Sequence, residues 1–144
     1  MFVLDTNVLV YAADADSPYH TKCRAFVDTA RRQPSAWYVT WGICYEFLRV
    51  VTHPRVFRSP WSAAQAWSFV AALVASPANG FLIHTDRHAA VAAQVMADLP
   101  DLSGNRMHDA HTAILMREHG IKTICTRDTD FHRFPFLEPR DPTA

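Results

Sequence analysis

The sequence predicts a single α/β domain built on a mainly parallel sheet, and three observations carry this. The runs Phe2-Val3-Leu4, Trp37-Tyr38-Val39-Thr40, Phe81-Leu82-Ile83 and Ile121 to Thr126 read as strands. The first is continuously apolar, as a strand buried in a parallel sheet is. Between the runs lie segments whose apolar residues recur at helical spacing, and strands alternating with helices give α/β architecture. The chain has 144 residues, 49% of them apolar and 12% aromatic, enough for one domain with a real core.

Taken in order, Phe2 to Leu4 is the first strand, and the polar triplet Asp5-Thr6-Asn7 marks where the chain turns away. Asp5 or Asn7 suits a cap on the segment holding Val8-Leu9-Val10. Ser17-Pro18 predicts a helix start, followed by Cys23, Phe26, Val27 and Ala30 at helical spacing and by Arg31-Arg32 at the C-terminal end. After the strand at Trp37, a helix is expected from Gly42 to Thr52, with Ile43, Phe47 and Val50 on one face. Ser59-Pro60 repeats the helix-start signal, and Trp67, Val70, Ala71 and Val74 mark a buried stripe. Thr85 or Asp86 is expected to cap a helix holding Val91 and Val95 and ending at Pro100. A loop covers Asp101 to Asn105. The last helix runs from Arg106 to His119 and is closed by Gly120. Residues 1–134 are expected to form the domain and 135–144 a loosely held tail rich in proline and charge.

Lys plus Arg equal Asp plus Glu at 14 each, so the formal net charge is zero. That weighs against simple electrostatic capture of nucleic acid, but not against an enzyme whose positive charge arrives as metal. Cys23, Cys44 and Cys125 form no CxxC and read as reduced thiols of a cytoplasmic protein. Asp5 interrupts the first apolar stretch, so no signal peptide is expected. The apolar segment from Trp67 to Ala75 is too short to span a bilayer. A soluble protein with no membrane association is the expectation.

Four carboxylates stand out. Glu46 lies about 60° from Ile43 and about 40° from Val50 around its helix, at the rim of the apolar stripe. A salt bridge to Arg49 or Arg55 is the plainer explanation. Asp109 shares a face with Thr112, Ala113 and Met116; the helix dipole explains its place along the helix but not its facing. Asp128 follows the last strand as Asp5 follows the first, and a turn is its ordinary role. Asp130 is a neighbour able to share or replace that role. Together, two acids at strand ends and two at core-facing helix edges bury net negative charge, which is costly unless a cation neutralises it. Oxygen-only ligation points to Mg²⁺ or Mn²⁺, and such ions serve phosphodiester hydrolysis.

In order, the motifs are Phe2-Val3-Leu4-Asp5-Thr6-Asn7-Val8-Leu9, Glu46-Phe47-Leu48-Arg49, His108-Asp109-Ala110-His111-Thr112-Ala113 and Thr126-Arg127-Asp128-Thr129-Asp130-Phe131. This order resembles the PIN-domain nucleases, and within them the VapC-type toxins of toxin–antitoxin pairs. The resemblance covers essentially the whole chain, including Arg49 to Phe57 and Arg133-Phe134-Pro135. It implies a central parallel sheet with helices on both faces, and an endoribonuclease dependent on Mg²⁺ or Mn²⁺. It also implies a homodimer and inhibition by a cognate antitoxin polypeptide. Carried over by position, Asp5, Glu46, Asp109 and Asp128 would be the catalytic, metal-binding acids. Asn7 and Thr126 would be polar supports that orient them, and Asp130 matches a position that is often polar or acidic.

Rival readings are weaker. His84, His88, His108 and His111 invite zinc, but His84 and His88 face the same way only in a helix and His84 reads as a strand end, and no HExxH or CxxC signature supports zinc. A haloacid-dehalogenase-type phosphatase using Asp5 as nucleophile wants a second Asp two residues on, where this chain has Asn7. A catalytically inactive binding module fits poorly with four acids retained. Trp67 reads as core. Packing in the core or an interface is the simpler account of Trp41, with stacking on a base the alternative.

Overall fold

The computed structural model describes residues 1–144. Its strands are β1 (Phe2–Leu4), β2 (Trp37–Val39), β3 (Asn79–Phe81), β4 (Thr123–Cys125) and β5 (Glu138–Arg140). Its helices are α1 (Thr6–Ala13), α2 (His20–Arg32), α3 (Trp41–Val51), α4 (Ala63–Val74), α5 (His88–Asp98) and α6 (Arg106–Glu118), with a 3-10 turn at Thr129–Arg133. The sheet order is β3-β2-β1-β4-β5, and every neighbouring pair is parallel. Val3 and Leu4 point to opposite faces of the central strand, and both are fully buried, so the sheet is covered on both sides. From β1 the chain builds β2 and β3 on one flank, then returns to lay β4 and β5 on the other. That reversal creates a switch point at the carboxyl ends of β1 and β4, where α/β folds place their ligands.

Local signals explain most boundaries, and the departures have physical causes. Asp5 caps α1, accepting a hydrogen bond from the Thr6 N–H. The expected start of α2 at Ser17-Pro18 is corrected to His20, because the Ser17 hydroxyl accepts from the Tyr19 N–H (3.1 Å) and closes a local turn instead. Likewise α4 begins after Ser62 rather than Ser59. Ser62 and Gln65 form a reciprocal capping box, which Ser59-Pro60 cannot offer. The buried face of α4 is Ala66, Val70 and Leu73, while Trp67, Ala71 and Val74 are exposed, so Trp67 is not core.

β3 begins two residues earlier than expected, pairing Trp37 with Asn79 and Tyr38 with Gly80. A Cβ at Gly80 would stand 2.9 Å from the Tyr38 ring, so the close register needs glycine there. The C-terminal tail is not loose. Glu138–Arg140 adds β5 to the sheet edge, where the missing N–H of Pro139 is tolerated. Arg127 ties the segment down through Asp141 (3.2 Å) and lies 3.5 Å over the Tyr19 ring.

One buried polar anchor sets the α5–α6 packing. The Glu118 carboxylate, with no exposed side-chain surface, accepts from the Thr85 N–H (2.8 Å), the Thr85 hydroxyl (2.8 Å) and His88 Nδ1 (2.7 Å). Burial raises its pKa, but those bonds outweigh burial and hold it below the ordinary value. Thr85 thus serves α5 indirectly, through Glu118 and through the Arg87 N–H that it accepts. No helix is long and apolar enough to cross a membrane.

Candidate functional site

A cleft of about 740 Å³ opens at the switch point, lined by Asp5, Glu46, Asp109, Asp128 and Asp130 among others. Each acid arrives there for a local reason. Asp5 follows β1 directly and caps α1, Asp128 lies three residues beyond β4 and caps the 3-10 turn, and Asp109 stands in the first turn of α6. Glu46 comes from the middle of α3.

Asp5 is only 8% exposed and is held by a small ring of bonds. The Thr126 hydroxyl donates to its Oδ2 (2.7 Å), as does Asn7 Nδ2 (2.8 Å). Asn7 also donates to Thr126 Oγ1 (2.9 Å) and accepts from the Arg127 N–H (3.1 Å). The Asp128 N–H donates to Thr126 Oγ1 (2.9 Å), and the Asp130 N–H to Asp128 Oδ1 (2.8 Å). A continuous chain of hydrogen bonds therefore fixes the ends of β1 and β4 relative to each other. The Asp5–Asn7–Thr126 contacts are those through which the two polar residues would orient an acid.

Asp109, Asp128 and Asp130 each bring a carboxylate oxygen within 4.8 Å of the other two. Glu46 lines the same cleft, but both its oxygens are taken by Arg49, at 2.6 and 3.1 Å. Its pKa is lowered, first by the Arg49 hydrogen bond. The structure therefore gathers Asp5, Asp109, Asp128 and Asp130, and holds Glu46 beside them in the ion pair that sequence offered as its plainer explanation. The cation facing Asp130 from α6, Arg106 at 3.8 Å, was missed. Its spacing of three residues from Asp109 on one helix is the signal that marks it.

Charge is the dominant property of the cleft. Burial, and then the charges of Asp5, Asp128 and Asp130, push the Asp109 carboxyl up to about 7, against a lowering by Arg106. Burial pushes Asp5 to about 6 despite the bonds from Thr126, Thr6 and Asn7. Acids this close cannot all ionise without a counter-charge. The donor set is oxygen only, which suits a hard divalent cation of the Mg²⁺ or Mn²⁺ kind and disfavours zinc. No HxxxH pair joins it. The imidazoles of His84, His88 and His111 form a separate row with ring centroids 6.0 Å apart.

The PIN domain family model matches residues 2–137. Ribonuclease VapC48 of Mycobacterium tuberculosis is 34% identical over 145 residues, an alignment covering 96% of this chain and 94% of that protein. Among solved structures, VapC20 of M. tuberculosis, described as a sarcin-ricin-loop-cleaving toxin, superposes with a TM-score of 0.70 at 18% identity, covering 98% of this chain and all of the other. A chain of VapBC2 from Rickettsia felis, solved bound to a DNA fragment from its promoter, gives 0.69 at 15% identity, covering 96% of each chain. At those identities the structures establish a shared fold.

Proposed function

The chain belongs to the PIN domain family, and from that membership we propose that it is a metal-dependent endoribonuclease acting as the toxin of a toxin–antitoxin pair. The observation that carries this reading is the cluster of carboxylates at the switch point, in which Arg106 and Arg133 form ion pairs only with Asp130. Three carboxylates lie within 4.8 Å of one another, and a fourth, Asp5, is buried beside them. Its 34%-identical relative is a ribonuclease by name. Asp5, Asp109 and Asp128 would hold Mg²⁺ or Mn²⁺, with Asp130 beside them as a further carboxylate and Glu46 available on α3 once it leaves Arg49. Asn7 and Thr126 keep the Asp5 oxygens aimed. When bound, the ion supplies a Lewis acid that acidifies water and offsets the charge building on a phosphodiester.

The proposed nucleophile is water rather than a protein side chain, because no serine, cysteine or histidine nucleophile constellation lines the cleft. A covalent route through Asp5 is disfavoured, because the residue two positions on is Asn7, whose amide is not an acid and already donates to Asp5. Purified protein should cleave RNA only with Mg²⁺ or Mn²⁺, leaving 5′-phosphate and 3′-hydroxyl ends. A 2′-O-methyl group at the scissile nucleotide should leave the chemistry possible. Products ending in 2′,3′-cyclic phosphate would overturn the mechanism. The partner is a small polypeptide that offers a basic side chain, best an arginine, to the acidic cleft. Growth arrest on expression, relieved by a co-expressed partner, tests the toxin reading separately from the nuclease reading. The protein is further proposed to act in the cytoplasm as a homodimer, which sedimentation of the purified chain measures directly.

A further inference from the structure

Trp41 and Tyr45 stand one turn apart on α3, and Trp67 of α4 joins them. The Trp41 and Trp67 rings are within 8° of parallel with centroids 6.4 Å apart, and the Tyr45 ring is also 6.4 Å from Trp41. Phe81 at the end of β3 stacks on Trp41 at 4.3 Å, which fixes the indole plane. Even so, Trp41, Tyr45 and Trp67 remain 42%, 63% and 47% exposed. A contiguous aromatic patch of this kind marks a binding surface.

Its position says what binds. Trp41 adjoins Gly42, which lines the acidic cleft. Arg49 lines that cleft and also a second groove formed with Tyr45, Leu48, Thr52, Ala63 and Trp67. Tyr45 of α3 and Trp67 of α4 therefore extend the cleft, with the Arg49–Glu46 ion pair at the join. Tyr, Trp and Arg are enriched in protein–protein interfaces as well, so composition alone does not choose the partner; continuity with the acidic cleft does. Aromatic faces beside such a cleft suit unpaired bases, since every base offers a π-face. A duplex keeps its bases stacked inside and cannot use such faces.

We propose that Trp41, Tyr45 and Trp67 form a base-stacking platform for the unpaired nucleotides flanking the phosphate that enters the acidic cleft. This rests on the nuclease reading above. The platform binds and orders the strand; the acids do the chemistry.

The test compares the full-length wild type with Trp41→Ala, Trp41→Phe and Tyr45→Ala, using a single-stranded 12-nucleotide RNA with Mg²⁺. Stacking is worth about 1–3 kcal/mol per base, so KM should rise by about five- to hundredfold in Trp41→Ala, with a smaller change in kcat. Trp41→Phe should recover most of that loss. In a titration without divalent ion, a 2′-O-methyl oligouridylate should quench tryptophan fluorescence, and less so in Trp41→Phe. Tyr45→Ala settles the matter if Trp41→Ala does not fold, because so exposed a side chain contributes little to the core. Wild-type cleavage with KM within twofold in every folded variant overturns the platform and leaves the nuclease standing. Loss of a dimer mass in Trp41→Ala with unchanged KM assigns the rings to a second copy of this chain, again overturning it. Failure of the wild type to cleave any RNA overturns both readings.

Discussion

Asp109 sits where burial and three neighbouring carboxylates act together, and its carboxyl is pushed up to about 7. Replacing it with asparagine keeps the shape and removes one of the repelling charges. In chelator, the Asp109→Asn protein should therefore melt at or above the wild-type temperature, while its cleavage falls by orders of magnitude. Mg²⁺ should raise the wild-type melting point by binding the folded form, and the variant's much less. A structural salt bridge at Asp109 predicts the opposite, a loss of about 3–5 kcal/mol. A metal-free variant melting far below wild type, with an equal metal shift, removes Asp109 from the site. The same charges dictate a pH dependence. Asp5 at about 6 and Asp109 at about 7 both lie above the 3.8 of the ordinary side chain. Between pH 3.8 and about 7 the folded metal-free protein thus holds protons that the unfolded chain has released. Its stability from these groups is full below pH 3.8, falls as pH rises through that window, and is lost above it. Melting curves in chelator from pH 4.5 to 8 should show the decline. Saturating Mg²⁺ should flatten or reverse it, because the ion binds the ionised form. A metal-free melting point that climbs steadily to pH 8 contradicts the electrostatic account.

Elements were legible in the sequence wherever one strong local signal had no competitor. β1, α3, α6 and the Gly120 closure of α6, at φ 68°, fall where periodicity and caps place them. The misses have two causes: a local hydrogen bond chose between candidate helix starts, or a contact distant in sequence set the outcome. Ser59 and Ser62 both suit a helix start, but only Ser62 has Gln65 to complete the box. Phe81-Leu82-Ile83 looks like the strand, but Gly80 against Tyr38 pulls the paired segment back to Asn79. Glu118 was invisible as an anchor, because a glutamate in a last turn reads as surface until Thr85 and His88 are known to face it. At this scale the expectation is that Glu118→Ala lowers stability. It removes the acceptor of the partly buried Thr85 N–H and hydroxyl, and a donor left without a partner in the interior costs up to about 1–3 kcal/mol. Denaturant unfolding should show a lower midpoint with an unchanged slope, and Mg²⁺ should still raise the melting temperature, since the acidic cleft is untouched. A midpoint equal to wild type would show that water replaces the carboxylate, contrary to its full burial.

At the scale of the whole molecule, strand order turns four scattered acids into one site. Positions 5, 109 and 128 were readable as candidates only jointly: a cap accounts for Asp5 and a turn for Asp128 taken singly, and only the facing of Asp109 went unexplained by the helix dipole. Their convergence was not readable from spacing, since it depends on β4 returning to lie beside β1. The closing strand follows from the same topology. β5 pairs with β4 through Thr123↔Glu138 to Cys125↔Arg140, and the Thr126 N–H, one residue before the Arg127–Asp128 turn, donates to the Arg140 carbonyl at 2.9 Å. Thr126 is also the residue whose hydroxyl donates to Asp5. Removing residues 138–144 should therefore do two things that loss of a loose tail would not. It should expose the β4 edge and lower the melting temperature by several degrees, since about 1 kcal/mol corresponds to 2–8 °C in domains of this general size. It should also slacken the Thr126–Asp5 bond, so that the metal-induced rise in melting temperature shrinks although every acid remains. Truncation at Leu137, compared with the full chain with and without Mg²⁺, measures both effects. A truncated protein with the full chain's melting temperature and metal shift would return residues 138–144 to the status of a dispensable tail.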